Sequence, residues 1–437
     1  MNINNEVFTY IDKSAELAVE LETGLTERPA ISPASGGEGE LDKCLYLEEW
    51  LRARGLERLE RFDAPDGQAK GGVRPNLIAT VPGKSDACRL WIISHLDVVP
   101  PGEMSLWESD PYHVVRKDDA PGLRLIGRGV EDNQQGLVSS VIAALALLKA
   151  GLTPPHTVKL LFCADEETGS AYGVGYLMEK GEGPGLFRKD DVVLIPDSGD
   201  PSGASIEIAE KNLIWARFTV SGLQAHGSRP DLGANAHLAG ADLALRLHYG
   251  LTEKFPGKDS LFEPDYSTFQ PTKKEANVPN INTIPGEDVF CMDMRILPRY
   301  PVKDVLAEID RIKAEIEEKH KVRIAYTLPQ AGESKATAAD APLVKSLSAA
   351  IREFYGTETR PIGIGGGTVA AFFRNRGIDA AVWCRICDTA HQPNEYVLIS
   401  NILGDAKVMA ALMLENRAAP PEAETAGTGT AGAGTAF

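Results

Sequence analysis

The chain has 437 residues, enough for two or three domains with ample core. Hydrophobic residues make up 43% and charged residues 24%, the balance of an ordinary globular protein in water. The formal charge of −17 opposes nucleic acid and anionic membrane surfaces, and leaves small anionic substrates open because a site can be locally positive.

The first ten residues are polar, with no basic head and no apolar run, so no secretory signal is expected. Residues 5–23 carry apolar side chains at helical spacing (Val7, Ile11, Leu17, Ala18, Leu21), and 40–54 reads as a second amphipathic helix. The Pro-, Ser- and Gly-rich run at 29–37 between them is a loop. Strands follow at 75–81 and 90–94, then an irregular stretch at 100–111 and extended chain at 123–129. Residues 136–149 form an apolar helix, and 158–164 and 191–196 are further strands. Strands alternating with helices mean βαβ units. The expected fold class is α/β, with a mainly parallel central sheet covered by helices.

The pattern changes near residue 212. A strand at 213–221 and a helix at 234–248 lead into an irregular Pro- and Lys-rich excursion at 250–279. Strands at 280–284 and 288–297 are joined at Pro285-Gly286, a hairpin signal, and a charged helix at 302–321 and a strand at 323–328 complete the set. That is β-α-β-β-α-β, the ferredoxin-like order. Helix and strand signals resume at 341–354, 380–386 and 397–415. The expected organisation is an α/β domain formed by residues 1–211 and 332–417, interrupted by an α+β domain at 212–331. The low-complexity tail, 418–437, is expected to be disordered.

No apolar stretch is long enough to span a bilayer. The six cysteines are scattered, which fits free thiols in a reducing cytoplasm. Cys384-Arg-Ile-Cys387, followed by His391, invites a zinc-knuckle reading. There is no second CxxC and both cysteines lie in a β-rich run, so two ordinary thiols are expected.

Histidines and carboxylates collect at the strand ends. His95 and Asp97 end the strand at 90–94, Asp132 follows Gly127-Arg-Gly129, Asp165-Glu166-Glu167 ends the strand at 158–164, Asp197 ends the one at 191–196, and His391 lies just beyond 380–386. The carboxyl edge of an α/β sheet is where such sheets bind ligands. Two imidazoles with several carboxylates and no committed thiolate fit zinc, with cobalt or manganese as alternatives. The supply exceeds the needs of one ion and matches two sharing a bridging carboxylate, with a hydroxide held between them. Glu166 and Glu167 can divide the remaining labour, one binding metal and its neighbour serving as base.

These residues resemble the dinuclear-zinc metallopeptidase and deacylase family of acetylornithine deacetylase, succinyl-diaminopimelate desuccinylase, glutamate carboxypeptidase and bacterial dipeptidases. The resemblance rests on Ser94-His-Leu-Asp97, Gly127-Arg-Gly-Val-Glu-Asp132, Asp165-Glu-Glu-Thr-Gly169, Pro196-Asp197, His226-Gly-Ser-Arg-Pro230, Asn282-Thr-Ile-Pro285, Asp293-Met-Arg295, Gly365-Gly-Gly-Thr368 and Ala390-His391-Gln-Pro. It implies that His95 and Asp197 bind one zinc, Glu167 and His391 the other, that Asp132 bridges both, and that a cis peptide follows it to Asn133. Asp97 would orient His95, and Glu166 would be general base and acid. The inserted domain would be a lid and dimer interface. His226 on it would stabilise the oxyanion, often across a homodimer, and Asn282 and Arg295 would bind substrate. Arg295 and backbone N–H groups of Gly365, Gly366, Gly367 and Thr368 would grip a substrate carboxylate. Two departures stand out: Asn133-Gln134-Gln135-Gly136 lacks the lysine that often follows the bridging aspartate, and Asp197 stands where some members have glutamate.

The expected function is a two-zinc amidohydrolase acting on a small carboxylate-bearing substrate such as an N-acyl amino acid or dipeptide. The alternatives are a catalytically silent carboxylate-binding relative, or a dinucleotide-dependent enzyme using the late glycines.

Overall fold

The computed structural model describes residues 3–179 and 186–415; the low-complexity tail lies outside them. The first expected helix is two, α1 (Ile3–Asp12) and α2 (Ala15–Thr26), and the Ser14 hydroxyl between them donates to the Tyr10 carbonyl at 2.8 Å. Then come α3 (Leu41–Ala53), β1 (Leu59–Pro65), β2 (Val73–Val81), β3 (Ser85–His95), β4 (Val115–Asp119) and β5 (Gly122–Ile126). Helix α4 (Gln135–Lys149), β6 (His156–Cys163), α5 (Val174–Glu179), β7 (Val192–Gly199) and β8 (Ser205–Glu210) complete the first segment. Three of these strands, β1, β4 and β8, carry no clear sequence signal. Strand β4 is mostly charged, β1 interrupts its apolar residues with Glu60, Arg61 and Asp63, and β8 buries two glutamates, Glu207 and Glu210, against Arg374.

The inserted segment holds β9 (Asn212–Ser221), β10 (Ala225–His226), α6 (Ala236–Lys254), β11 (Thr268–Lys274), β12 (Thr283–Ile284), β13 (Glu287–Ile296), α7 (Val302–His320) and β14 (Arg323–Gly332). Its sheet runs β11-β13-β9-β14, all antiparallel, which is the ferredoxin-like arrangement. Alternate residues of β9 (Ile214, Ala216, Phe218, Val220) pack under Leu243, Leu247, Ile309 and Ile312 as a separate core. One expected pairing differs. The partner of β13 is β11, from within the supposed irregular excursion, while β12 pairs with β10, so Pro285-Gly286 closes no hairpin with β13. On the edge strand β11 only Phe269 is fully buried, so no two-residue alternation betrays it.

The chain then returns through α8 (Pro342–Tyr355), β15 (Arg360–Ile364), α9 (Ala370–Arg374), β16 (Asp379–Cys384), β17 (Tyr396–Leu398) and α10 (Ile399–Leu414). Eight strands form one sheet in the order β1-β2-β6-β3-β7-β16-β8-β15. Strands β6, β3, β7 and β16 are mutually parallel, and antiparallel pairings lie outside them. The apolar helix α4 is buried from Gln135 to Leu147, with α1 and α10 packed beside it. A second cluster, including Trp91, Ile93, Leu161, Val193 and Phe373, involves α5 and α9. Because the central strands are parallel, their carboxyl ends emerge along one edge. The excursion is tied to this sheet as well: Phe262 bridges Gly363, where a Cβ would lie 2.3 Å from the Phe262 ring, so only glycine fits.

Candidate metal centre

His95 is the last residue of β3 and is 3% exposed. Its Nε2 lies 3.0 Å from Asp132 Oδ1 and 3.3 Å from Asp197 Oδ1. Asp132 stands in the irregular turn before α4, and its peptide bond to Asn133 is cis, as expected. Its second oxygen, Oδ2, lies 3.0 Å from His391 Nε2, which is also 3.2 Å from Glu167 Oε1. Two triads result, His95–Asp132–Asp197 and Asp132–Glu167–His391, each with its ligand atoms within 4.8 Å of one another. Asp132 belongs to both and presents one oxygen to each histidine. Gly136 lets the start of α4 sit against β7: a Cβ there would lie 2.2 Å from the Pro196 carbonyl oxygen.

The electrostatics follow from burial and crowding. Burial works against charge on His95, but Asp197, Asp132 and Asp97 outweigh it and hold its pKa well above the usual imidazole range. His391, hydrogen-bonded to Asp132 and Glu167, is pushed up to about 10. Burial raises the Glu166 carboxyl well above its ordinary value, and Asp197, Glu167 and Asp97 add to the rise. Such a cluster concentrates negative charge around two imidazoles and draws in positive charge. Its donors are nitrogen and carboxylate oxygen only, a set that suits zinc, cobalt or manganese. The residues fit a pair of divalent cations sharing Asp132.

Asp97 acts more on its neighbours' backbone than on His95. The His95 Nδ1 is 2.9 Å from the Asp97 main-chain oxygen and 3.5 Å from its carboxylate. The carboxylate accepts the N–H groups of Glu166 and Glu167, each at 3.0 Å. The same turn is held from the other side by Asp165, at φ 65°, which accepts from Thr168, from the Tyr172 N–H at 3.0 Å and from Arg74 at 3.3 Å. Arg74 is itself paired with Glu40, and both are buried. A lone Arg and Glu far apart in the chain carry no sequence signal of this role. Asn133, for which the sequence signals no contact with the ligand residues, touches both sides of the centre. Its amide donates to Asp197 Oδ1 at 2.7 Å, and its oxygen accepts the His95 N–H at 3.2 Å.

Glu166 lines a cavity of about 550 Å³, walled by Gly366, Gly367, Thr368 and Phe372 on one side and by Trp215 and Arg295 of the insertion on the other. Arg295 is already engaged. Nε and Nη2 donate to Asp293 at 2.8 and 2.9 Å, and Nη1 donates to the Gly365 carbonyl at 2.6 Å. Thr368 donates to Glu210 at 2.7 Å. His226 and Asn282 are brought together with each other rather than with the triads: both are exposed, the His226 residue pairs with Thr283, and the Gly227 N–H donates to the Asn282 carbonyl at 2.7 Å. Neither lines this cavity. Cys384 is buried and the Cys387 sulfur accepts from Asn401 at 3.7 Å; neither joins a triad with His391.

A family model described as peptidase family M20/M25/M40 matches residues 91–415. The chain belongs to that family. An uncharacterised metallohydrolase of Methanococcus maripaludis is 38% identical over 89% of this chain and 97% of its own length. Succinyl-diaminopimelate desuccinylase 2 of Shewanella loihica is 28% identical over 65% of this chain and 69% of its own. Among solved structures, the dipeptidase Dug1p of Saccharomyces cerevisiae superposes with a TM-score of 0.72 at 18% identity, covering 95% of this chain and 98% of that one. A dinuclear metal-binding peptidase of the M20 family from Bacillus subtilis has a TM-score of 0.65 at 15% identity, over 92% and 98% of the two chains. As an M20/M25/M40 member this protein is a metal-dependent hydrolase of peptide or amide bonds. Among the described residues, no helix is long and apolar enough to cross a membrane.

Proposed function

We propose that this protein is a two-zinc amidohydrolase of small carboxylate-bearing substrates, N-acyl amino acids or dipeptides, with cobalt or manganese able to replace zinc. One observation carries the reading: Asp132 turns one oxygen to His95 and the other to His391, with Glu166 beside a cavity of substrate size. His95 and Asp197 would hold one cation, Glu167 and His391 the other, and Asp132 both. Bound cations supply Lewis acidity toward a carbonyl and acidify water. The desuccinylase and dipeptidase relatives support an amide substrate.

The chain's own residues supply the proton chemistry. Glu166, which lines the cavity, would take a proton from water and return it to the leaving nitrogen. Asp97 holds the Glu166–Glu167 turn by its N–H groups. Arg295 and the Gly365, Gly366, Gly367 and Thr368 loop are the proposed carboxylate grip. The arginine must share itself with Asp293 to serve.

In this reading residues 212–331 are a lid and dimerisation unit on a body formed by 1–211 and 332–417. Exposed Leu238, Leu245 and Tyr249 lie along one side of α6, beside a groove between α6 and α7, and suit a homodimer. His226, exposed and outside the cavity, then serves the partner's site as oxyanion donor, with Asn282 alongside. A cytoplasmic location is part of the proposal, since Cys44, Cys163, Cys291, Cys384 and Cys387 form no disulfide.

The test is a screen of dipeptides, N-acetyl and N-succinyl amino acids over zinc- and cobalt-loaded protein, with and without chelator. Chelator-sensitive turnover of one class is expected. Carboxylate binding with no turnover of any member would favour the silent relative instead.

A further inference from the structure

Asp132 and His391 reach the centre from loops far apart in the sequence, 127–132 and 387–395. Each loop is held by a buried glutamate that belongs to the other. Glu395, fully buried, accepts four donors from the first loop: Arg128 Nη1 at 2.5 Å and the N–H groups of Gly129, Glu131 and Asp132 at 3.1, 2.9 and 3.1 Å. In return Glu131, 4% exposed, accepts the N–H of Cys387, the N–H of Thr389 at 2.5 Å and the Thr389 hydroxyl at 2.8 Å. The Gly127 N–H adds a bond to the Glu395 carbonyl at 3.0 Å.

The second loop has a conformation that needs such support. Asp388, His391 and Asn394 have φ of 65, 64 and 59°, a region that side chains of L residues rarely adopt. His391 is also about half exposed, with little packing to hold its ring. Its position relative to Asp132 is therefore set by hydrogen bonds, and the reciprocal glutamates supply them. Charged acceptors on backbone N–H groups make the stronger kind of hydrogen bond. His95 and Asp197 stand on strands β3 and β7 and are linked through Asn133, independently of Glu131.

We propose that Glu131 and Glu395 are positioning residues that fix the separation of Asp132 from His391, and that Glu131 thereby sets the affinity for the cation shared by Asp132, Glu167 and His391. The proposal rests on the two-cation reading above. Neither glutamate is itself a candidate ligand, since neither belongs to a triad. Glutamine at 131 keeps the size but turns an amide N–H₂ toward one of the two N–H groups.

The experiment is a zinc titration of the stripped full-length protein against a chromophoric chelator, for wild type, Glu131→Gln and Thr389→Val. The valine variant keeps both backbone bonds to Glu131 and covers the case in which Glu131→Gln does not fold. The expected result is two equivalents in the wild type. In Glu131→Gln one of them is weakened about tenfold or more while the other is unchanged, and Thr389→Val gives a smaller loss in the same direction. Unchanged affinity for both equivalents in both variants would overturn the clamp. So would equal weakening of both equivalents, which is general loosening. A wild type that binds fewer than two would instead overturn the two-cation reading, and the clamp with it.

Discussion

Asp97 holds Glu166 by its backbone: Oδ1 of the aspartate accepts the Glu166 N–H at 3.0 Å, while Oδ2 does the same for Glu167. One carboxylate thereby aims both the proposed base and a proposed ligand. Asp97→Asn keeps one acceptor and opposes the other N–H with an amide. The expected outcome is a fall in kcat of about 10- to 100-fold with a smaller change in KM, read by steady-state kinetics on the best substrate of the screen. An unaltered kcat would remove Asp97 from the machinery.

Glu166→Gln separates proton transfer from cation binding. The variant should lose about 10²- to 10⁴-fold in kcat and still bind two cations per chain by elemental analysis. Loss of a cation in this variant would make Glu166 a ligand rather than a base.

Removing the cations should also destabilise the fold around the triads. Chelated protein should melt at a lower temperature, and zinc at about a thousandfold over its dissociation constant should restore roughly 4 kcal/mol of stability. Calorimetry with and without chelator measures it. Coincident melting curves would mean that the triads stand equally well without ions.

Asp405 predicts a pH dependence of stability. It is fully buried on α10 and accepts from the Tyr355 hydroxyl and Gln135 Nε2, each at 2.8 Å. Burial pushes its carboxyl up to about 7 from 3.8. The native state thus keeps a proton that the unfolded chain has already lost. This contribution is fully present below about pH 4 and disappears as pH rises through about 7. Asp405→Asn removes that titration, so its stability should decline less than the wild type's between about pH 4 and 8, by an amount on the order of a few kcal/mol. Glu207, which burial pushes up to about 8, adds a decline of the same sign that survives in the variant. Parallel urea melts across this range test the difference, and identical slopes would count against it.

Mixing tests the assignment of His226 to a partner's site. Glu166→Gln and His226→Ala are each expected to be nearly inactive alone. Co-refolded in equal amounts, a dimer that shares His226 recovers about one quarter of the wild-type rate, because only one site in each mixed dimer is complete. No recovery, with mixed dimers demonstrated, would place His226 in its own subunit's chemistry or outside it.

Much of this molecule was legible before any coordinates. His95 and Asp197 on β3 and β7, and Glu167 just past β6, follow from hydrophobic runs that stop at charged residues, and parallel strands bring such ends together; Asp132 and His391 reach the centre from loops instead. The β-α-β-β-α-β order of the insertion was legible for the same reason. The misassigned strand was an edge, β11, where only Phe269 is fully buried and periodicity is silent. Arg295 reads from its motif as a substrate-binding residue, but two residues away Asp293 faces the same side of the strand and takes it bidentately.

The amino-acid order alone therefore determined which segments are buried, which chemical groups crown the central strands, and that a cation centre was to be expected, because those depend on local pattern and residue type. The tertiary structure alone decided which groups serve which. Asp97 supports a turn, Asn133 links His95 to Asp197, and Glu131 and Glu395 exchange loops across some 260 residues of chain. Hydrogen bonds of that kind leave no periodic trace, since a buried carboxylate finds its donors through the packing of distant elements and not through its neighbours in sequence.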